Sequence, residues 1–152
     1  YKDMIACTKG CDSCCRFLTL FPVEALAVSE AFRLLPANLQ KKIAHKASGH
    51  SDTCPLLIEN VCAIYPSRPV ICRTHGFPIL IEKDGEQAVD FCPENFKGIR
   101  SFSGQMLLSV EQLNQMLFAV NRHFLESIEN GKTLPDRIPI SEALFWAEDS
   151  DD

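Results

Sequence analysis

The sequence predicts an α+β fold, mainly helical, in which a small irregular cysteine-rich core and one or two β-hairpins pack on three or so helices. Three observations predict it. Apolar residues recur at helical spacing in three stretches, two short apolar runs are interrupted by turn residues, and four of the eight cysteines fall within the nine residues "CTKGCDSCC", 7–15. A chain of 152 residues has the usual size of one domain, and 46% hydrophobic residues suffice for a core without covalent staples.

The first helix is expected in "FPVEALAVSEAFRLLP", 21–36, where Pro22 suits the first turn. Val23, Leu26, Ala27, Ala31 and Leu34 fall on one helical face and leave Glu24 and Glu30 near water. Pro36 stops this helix and opens a second, in which Leu39, Ile43 and Ala47 recur every four residues before Gly49. The polar loop "GHSDT", 49–53, then delivers the chain to Cys54.

Glu59 and Asn60 are placed to form a tight turn that pairs 56–58 with 61–64. A clearer hairpin follows in "PILIEKDGEQAVDF", since Asp84 and Gly85 are the residue types of a two-residue type I′ turn. That turn makes Leu80 face Val89, and it returns Cys92 beside Phe77, to the loop that carries Cys72. In the longest helix Ser109 and Gln112 read as a capping box. Leu113, Met116, Leu117, Val120, Phe124 and Ile128 form an apolar stripe expected to pack in the core, ended by Asn130 and Gly131.

The net charge of −5 is concentrated at the end. Residues 142–152 hold five acids and no base, and the remaining fifteen acids are matched by fifteen Lys and Arg. Residues 1–141 therefore read as a single neutral domain and 142–152 as an acidic C-terminal tail. A neutral body offers no basic stripe, which excludes nucleic-acid binding by bulk charge. No apolar run reaches the ~18 residues of a membrane span, so no membrane association is expected. Tyr1 is not preceded by a basic and apolar leader, although a segment before it could have been removed, and the expected compartment is the cytoplasm.

Cysteine makes up about 5% of the chain, below the ~8–10% of a secreted disulfide scaffold. Neighbouring Cys14 and Cys15 have Cα atoms only about 3.8 Å apart, too close for a relaxed disulfide. Four thiols in nine residues exceed what a core needs of a small hydrophobe, and thiolates so crowded repel unless a cation holds them. The expected metal ligands are Cys7, Cys11, Cys14, Cys15, Cys54, Cys62, Cys72 and Cys92, enough for two four-coordinate metals or one cluster with spare thiols. Zinc and iron are the candidates. Arg16, Arg68 and Arg73 are placed to offset thiolate charge, Tyr65 to donate a hydrogen bond to sulfur, and His75 to act beside Cys72 as ligand or supporting donor. The CxxxCxxC spacing of Cys7, Cys11 and Cys14 also occurs in radical S-adenosylmethionine enzymes, but the barrel those enzymes need does not fit this short chain.

These residues resemble the YkgJ-type cysteine-cluster proteins, a family described as zinc- or iron-chelating. The resemblance rests on CxxxCxxCC at Cys7, Cys11, Cys14 and Cys15 followed by Arg16, on Cys54-Pro55, and on Cys62 shortly before Ile64-Tyr65. It closes with Arg68-Pro69 and Cys72-Arg73, and Cys92 lies beyond as an eighth member. A similar domain in flagellin lysine methylases makes an iron–sulfur cluster, 4Fe-4S among the options, the first expectation. The chain would then serve electron transfer, redox sensing or a larger enzyme, with a protein partner. Two alternatives stand beside it: a zinc-stabilised interaction module, and an iron-dependent or S-adenosylmethionine-linked methyl-transfer enzyme. No catalytic residue is assigned.

Overall fold

The structure is a computed structural model that describes residues 2–49, 51–83, 85–128 and 134–146. The helices are α1 (Pro22–Arg33), α2 (Ala37–Ala47), α3 (Val70–Thr74), α4 (Val110–Ser127) and α5 (Ile140–Ala143). The strands β1 (Thr19–Leu20) and β7 (Ile138–Pro139) pair antiparallel, as do β2 (Leu57–Ile58) and β3 (Val61–Cys62). β4 (Ile79–Lys83) pairs antiparallel with β5 (Glu86–Asp90) and parallel with the short β6 (Leu108–Ser109). The architecture is α+β, and both expected hairpins form.

Pro22 opens α1 as expected, but the helix buries the opposite stripe from the predicted one. Ala25, Val28, Ser29 and Phe32 are buried, whereas Ala27 is exposed and Leu34 is 86% exposed. Size and closeness explain the choice. Phe32 stacks edge-on against Phe145 at 5.7 Å, and a buried side chain of that class is worth about 1.5–3 kcal/mol. The small Ala25 and Ser29 let α5 approach, and the Ser29 hydroxyl donates to the Leu144 carbonyl at 3.3 Å. Glu24 is half-buried, not free in water: its carboxylate accepts the N–H of Phe21 at 3.4 Å and of Val70 at 2.9 Å. One side chain thus ties the start of α1 to the start of α3.

In α2, Ile43 is fully buried while Leu39 and Ala47 pack against the core. Glu59 (φ +50°) and Asn60 (φ +61°) both adopt the left-handed conformation that the β2–β3 turn requires. In the second hairpin Leu80 faces Val89 as predicted, and Gly85 has φ +80°. Asp84, Asn130 and Gly131 lie outside the described residues.

α4 begins at Ser109, whose hydroxyl accepts the Gln112 N–H at 3.2 Å. Its apolar stripe is not a core face. Leu113, Leu117 and Phe124 are half-buried, while Met116, Val120 and Ile128 are exposed; the buried residue of the helix is Asn121. Its side-chain oxygen accepts the Val23 N–H at 3.1 Å, so α4 clamps the first turn of α1.

Part of the core comes from the end of the chain, from residues on both sides of the start of the expected acidic tail. Ile138, Ile140, Ala143 and Leu144 are core residues, and Phe145 and Trp146 pack against them. Of the expected tail 142–152, residues 142–146 are described and include Ala143 and Leu144 of the core; 147–152 lie outside the described residues. Apolar residues at 138, 140, 143 and 144 outweigh the scattered acids. Among the described residues no helix is long and apolar enough to cross a membrane.

Candidate metal centre

All eight cysteines are free thiols. The fold sorts them into two quartets, and backbone pairing explains how. After the turns that wrap residues 8–15, the chain runs antiparallel to the loop before β2: Arg16 bridges Thr53, and the Cys54 N–H donates to the Cys15 carbonyl at 3.1 Å. Cys54 and Cys15 are thereby neighbours. The β2–β3 hairpin places Cys62 opposite Leu57, three residues after Cys54, and α3 supplies Cys72. Cys15, Cys54, Cys62 and Cys72 make the first quartet.

The second quartet is closed by the segment after β5. Phe91, Phe96 and Phe102 stack edge-on, with ring centroids 5.0–6.2 Å apart, and anchor residues 93–96. This loop holds the N-terminal segment, since the Phe96 N–H donates to the Met4 carbonyl at 2.8 Å and the Asn95 side-chain oxygen accepts the Ala6 N–H at 2.9 Å. Asn95 is 2% exposed; its amide donates to Cys7 Sγ at 3.5 Å and to the Gly76 carbonyl at 3.0 Å. Cys7, Cys11, Cys14 and Cys92 then line one pocket of about 220 Å³, with His75 and Phe77 on its wall. A larger groove of about 650 Å³ lies between β4, β5 and α4, but no cysteine or histidine lines it. The donor chemistry lies in the smaller pocket.

Electrostatics separate the quartets in the same way. Burial pushes the Cys72 thiol up to about 12, and Cys54, Cys62 and Cys15 add to the rise while Arg68 opposes it. Burial likewise pushes Cys54 up to about 11, with Cys62 and Cys15 adding, and the Leu56 N–H and Lys46 opposing. Cys62 is raised chiefly by burial and drawn down by the Ile64 N–H and Arg68. In the other quartet Cys11 is raised by desolvation and by Cys7, Cys14 and Cys92. The quartets meet at the adjacent Cys14 and Cys15, where the Cys15 thiol adds to the burial that raises Cys14.

The donor sets suit a thiophilic metal: four sulfurs each, the type of shell that zinc and iron take. The N–H groups of Leu56 and Ile64 aim at the sulfurs of the cysteines two residues earlier, which favours the thiolate form. Among the described residues, no three His, Cys, Asp or Glu side chains already stand at the spacing that holds an ion. A metal bound there would have to draw the thiols of a quartet inward and displace their protons.

The companions fare unequally. Arg68 bears on Cys62 and Cys72 as expected, and also donates to the Cys72 carbonyl at 3.5 Å. Arg73 braces the loop instead, donating to the carbonyls of Arg68 (2.7 Å) and Pro66. Tyr65 is 57% exposed and carries the Arg68 guanidinium 3.6 Å from its ring centre, a stacking role in place of the expected bond to sulfur. His75 is near sulfur, but on the wall of the pocket formed by Cys7, Cys11, Cys14 and Cys92, away from the quartet of Cys72. The hairpin does bring Cys92 to the loop after Cys72, where Phe77 shares its pocket, but it joins the N-terminal thiols.

Two residues were missed. Asn95 has only the cue of a polar residue shortly after the last cysteine. Gly76 has φ +88°, and a Cβ there would stand 2.9 Å from the Asn95 amide nitrogen and 3.5 Å from Cys92 Cβ. Only glycine lets these backbones close on the pocket.

The family model described as "CxxCxxCC: Putative zinc- or iron-chelating domain" matches residues 6–93. No curated protein and no solved structure matches the chain. The matched stretch exceeds half of the 152 residues and contains all eight thiols of both quartets. On that match the chain belongs to the CxxCxxCC family of zinc- or iron-chelating domains.

Proposed function

We propose that this protein holds an iron–sulfur cluster through its clustered cysteines and serves electron transfer, either by itself or as an accessory to a larger enzyme. The observation that carries the reading is the pair of all-thiol quartets meeting at Cys14 and Cys15, with one of them lining an open pocket. Iron bound by cysteine thiolates supplies reversible one-electron chemistry whose potential responds to charge, hydrogen bonds to sulfur and exposure. This chain's residues provide those controls: Asn95 donates to Cys7, the Leu56 and Ile64 N–H groups reach Cys54 and Cys62, and Arg68 supplies positive charge. The reading includes a protein partner that exchanges the electron and a reducing cytoplasm that keeps the thiols free.

Purification without oxygen, followed by iron, zinc and sulfide analysis and visible spectroscopy, tests it. The expected result is iron with matching sulfide and a broad visible absorption that dithionite bleaches. A colourless protein carrying zinc alone would overturn the reading.

One observation favours a second reading. Cys54 and Cys62 pack against the hydrophobic core, and Cys15, Cys54, Cys62 and Cys72 come from separate segments. A zinc ion there would tie those segments together as a fold staple, leaving the work to a protein-binding surface. Zinc in this quartet beside iron in the other would appear as both metals in the same preparation.

A further inference from the structure

We infer that the two quartets are unequal: Cys15, Cys54, Cys62 and Cys72 form a retained site, whereas Cys7, Cys11, Cys14 and Cys92 form an exchangeable site open to small thiols through the pocket beside His75. The inference rests on the metal-binding reading above and goes beyond it by assigning each quartet its own role.

Exposure separates the sites. Three of the four thiols of the exchangeable quartet, Cys7, Cys11 and Cys14, are exposed and only Cys92 is half-buried, while Cys15, Cys54, Cys62 and Cys72 are all half-buried. Cys54 and Cys62 also contact the core, so opening their quartet disturbs packing against Leu56 and Ile64, which are 1% and 3% exposed. Opening the other quartet moves surface loops. The second difference is access. The 220 Å³ pocket is lined by all four thiols of the exchangeable quartet, and its other walls include His75, Gly76, Phe77 and Phe91. A small thiol fits that space and the donor chemistry.

Charge separates them further. Four thiolates around a divalent ion leave a net charge of about −2. Arg68 bears on Cys62 and Cys72, and Lys46 on Cys54, whereas the other quartet has only Lys97 acting on Cys92, an exposed cation already paired with Glu94 at 2.7 Å, and no Arg or Lys lines its pocket. Because Cys14 and Cys15 are adjacent, loading one quartet raises the electrostatic cost of loading the next. The less compensated quartet is the one that yields. In the exchange, an incoming thiolate forms one metal–sulfur bond as a cysteine thiolate releases one, and the proton lost by the incoming thiol goes to the released cysteine. No electron is transferred.

Zinc is the probe, because it fills thiolate sites without redox chemistry. The full chain, loaded with zinc and freed of excess metal, is challenged with a chromogenic chelator in the presence and absence of glutathione. Two equivalents released in two phases about tenfold or more apart in rate are expected, with glutathione accelerating the fast phase alone. Cys92→Ser should remove the fast phase and keep the slow one. Alkylation of the wild-type zinc protein, read by peptide mass spectrometry, keeps the test independent of any variant's folding: Cys7, Cys11, Cys14 and Cys92 should label before the other four. A single release phase, glutathione acting on both phases, or labelling that begins at Cys54, Cys62 or Cys72 would overturn the inequality while leaving metal binding intact. Zinc lost entirely on gel filtration would overturn this inference, and the absence of both zinc and iron after purification without oxygen would overturn the metal reading itself.

Discussion

Asn95 grips Cys7 across 88 positions of sequence, its amide donating to Sγ at 3.5 Å while its oxygen accepts the neighbouring Ala6 N–H at 2.9 Å. The same amide also donates to the Gly76 carbonyl, so a single buried side chain joins three segments around the open pocket. Asn95→Leu would leave the Ala6 donor and the Gly76 acceptor unsatisfied, at a cost of about 1–3 kcal/mol. Asn95→Asp keeps an acceptor for Ala6 but sets a second negative charge against the sulfur. Its zinc affinity at the exchangeable quartet should fall about 10–100-fold, the usual scale for a residue that supports a ligand. Urea denaturation reads the first change and competition against a zinc chelator reads the second.

Gly76→Ala is expected to destabilise by about 1–2 kcal/mol from backbone conformation alone, because φ is +88° there. The added methyl would also stand 2.9 Å from the Asn95 amide nitrogen. Displacement of that amide should expose Cys7, so faster alkylation at Cys7 should accompany the lower denaturation midpoint. Unchanged Cys7 labelling in the variant would argue that Asn95 does not depend on Gly76 for its position.

These two residues mark where sequence reasoning stops. The eight thiols, both hairpins and the register of Leu80 with Val89 were legible, because turn chemistry and cysteine spacing are local. Sorting the thiols was not, since it depends on the Arg16–Thr53 bridge and on a loop anchored by Phe91, Phe96 and Phe102, which are contacts between distant segments. The misread faces of α1 and α4 share one cause. Periodicity identifies a stripe but not what covers it, and the Ile138–Leu144 stretch, masked in the sequence by neighbouring acids, covers Ala25, Ser29 and Phe32.

Glu24 carries a prediction that links α1 to the retained quartet. Its carboxylate receives both the Phe21 and the Val70 N–H, and Val70 begins the helix that presents Cys72. Glu24→Ala removes both acceptors and should cost about 1–2 kcal/mol, in the range of a lost helix cap. Glu24→Gln keeps an oxygen acceptor and should cost less. The specific signature is faster labelling of Cys72 in the metal-free Ala variant, with Cys92 labelling unchanged.

The pH dependence of stability should reverse sign with metal. In the metal-free protein burial raises the Cys54 and Cys72 thiols from 9.0 to about 11 and about 12. Below pH 9 these thiols are protonated in both the folded and unfolded chain, and their neutral burial counts fully toward stability. As pH rises from 9 through 11 and 12, the unfolded chain loses those protons first; the folded state then binds more protons than the unfolded one, and stability falls. With zinc bound the cysteines are thiolates at neutral pH, protons compete with the metal, and stability should fall as the solution is made acidic. Denaturation midpoints measured across the range, with zinc and with chelator, should therefore slope in opposite directions. Cys54→Ser with Cys72→Ser should flatten the alkaline decline of the metal-free chain, and a decline of the same steepness in that variant would assign it to other groups.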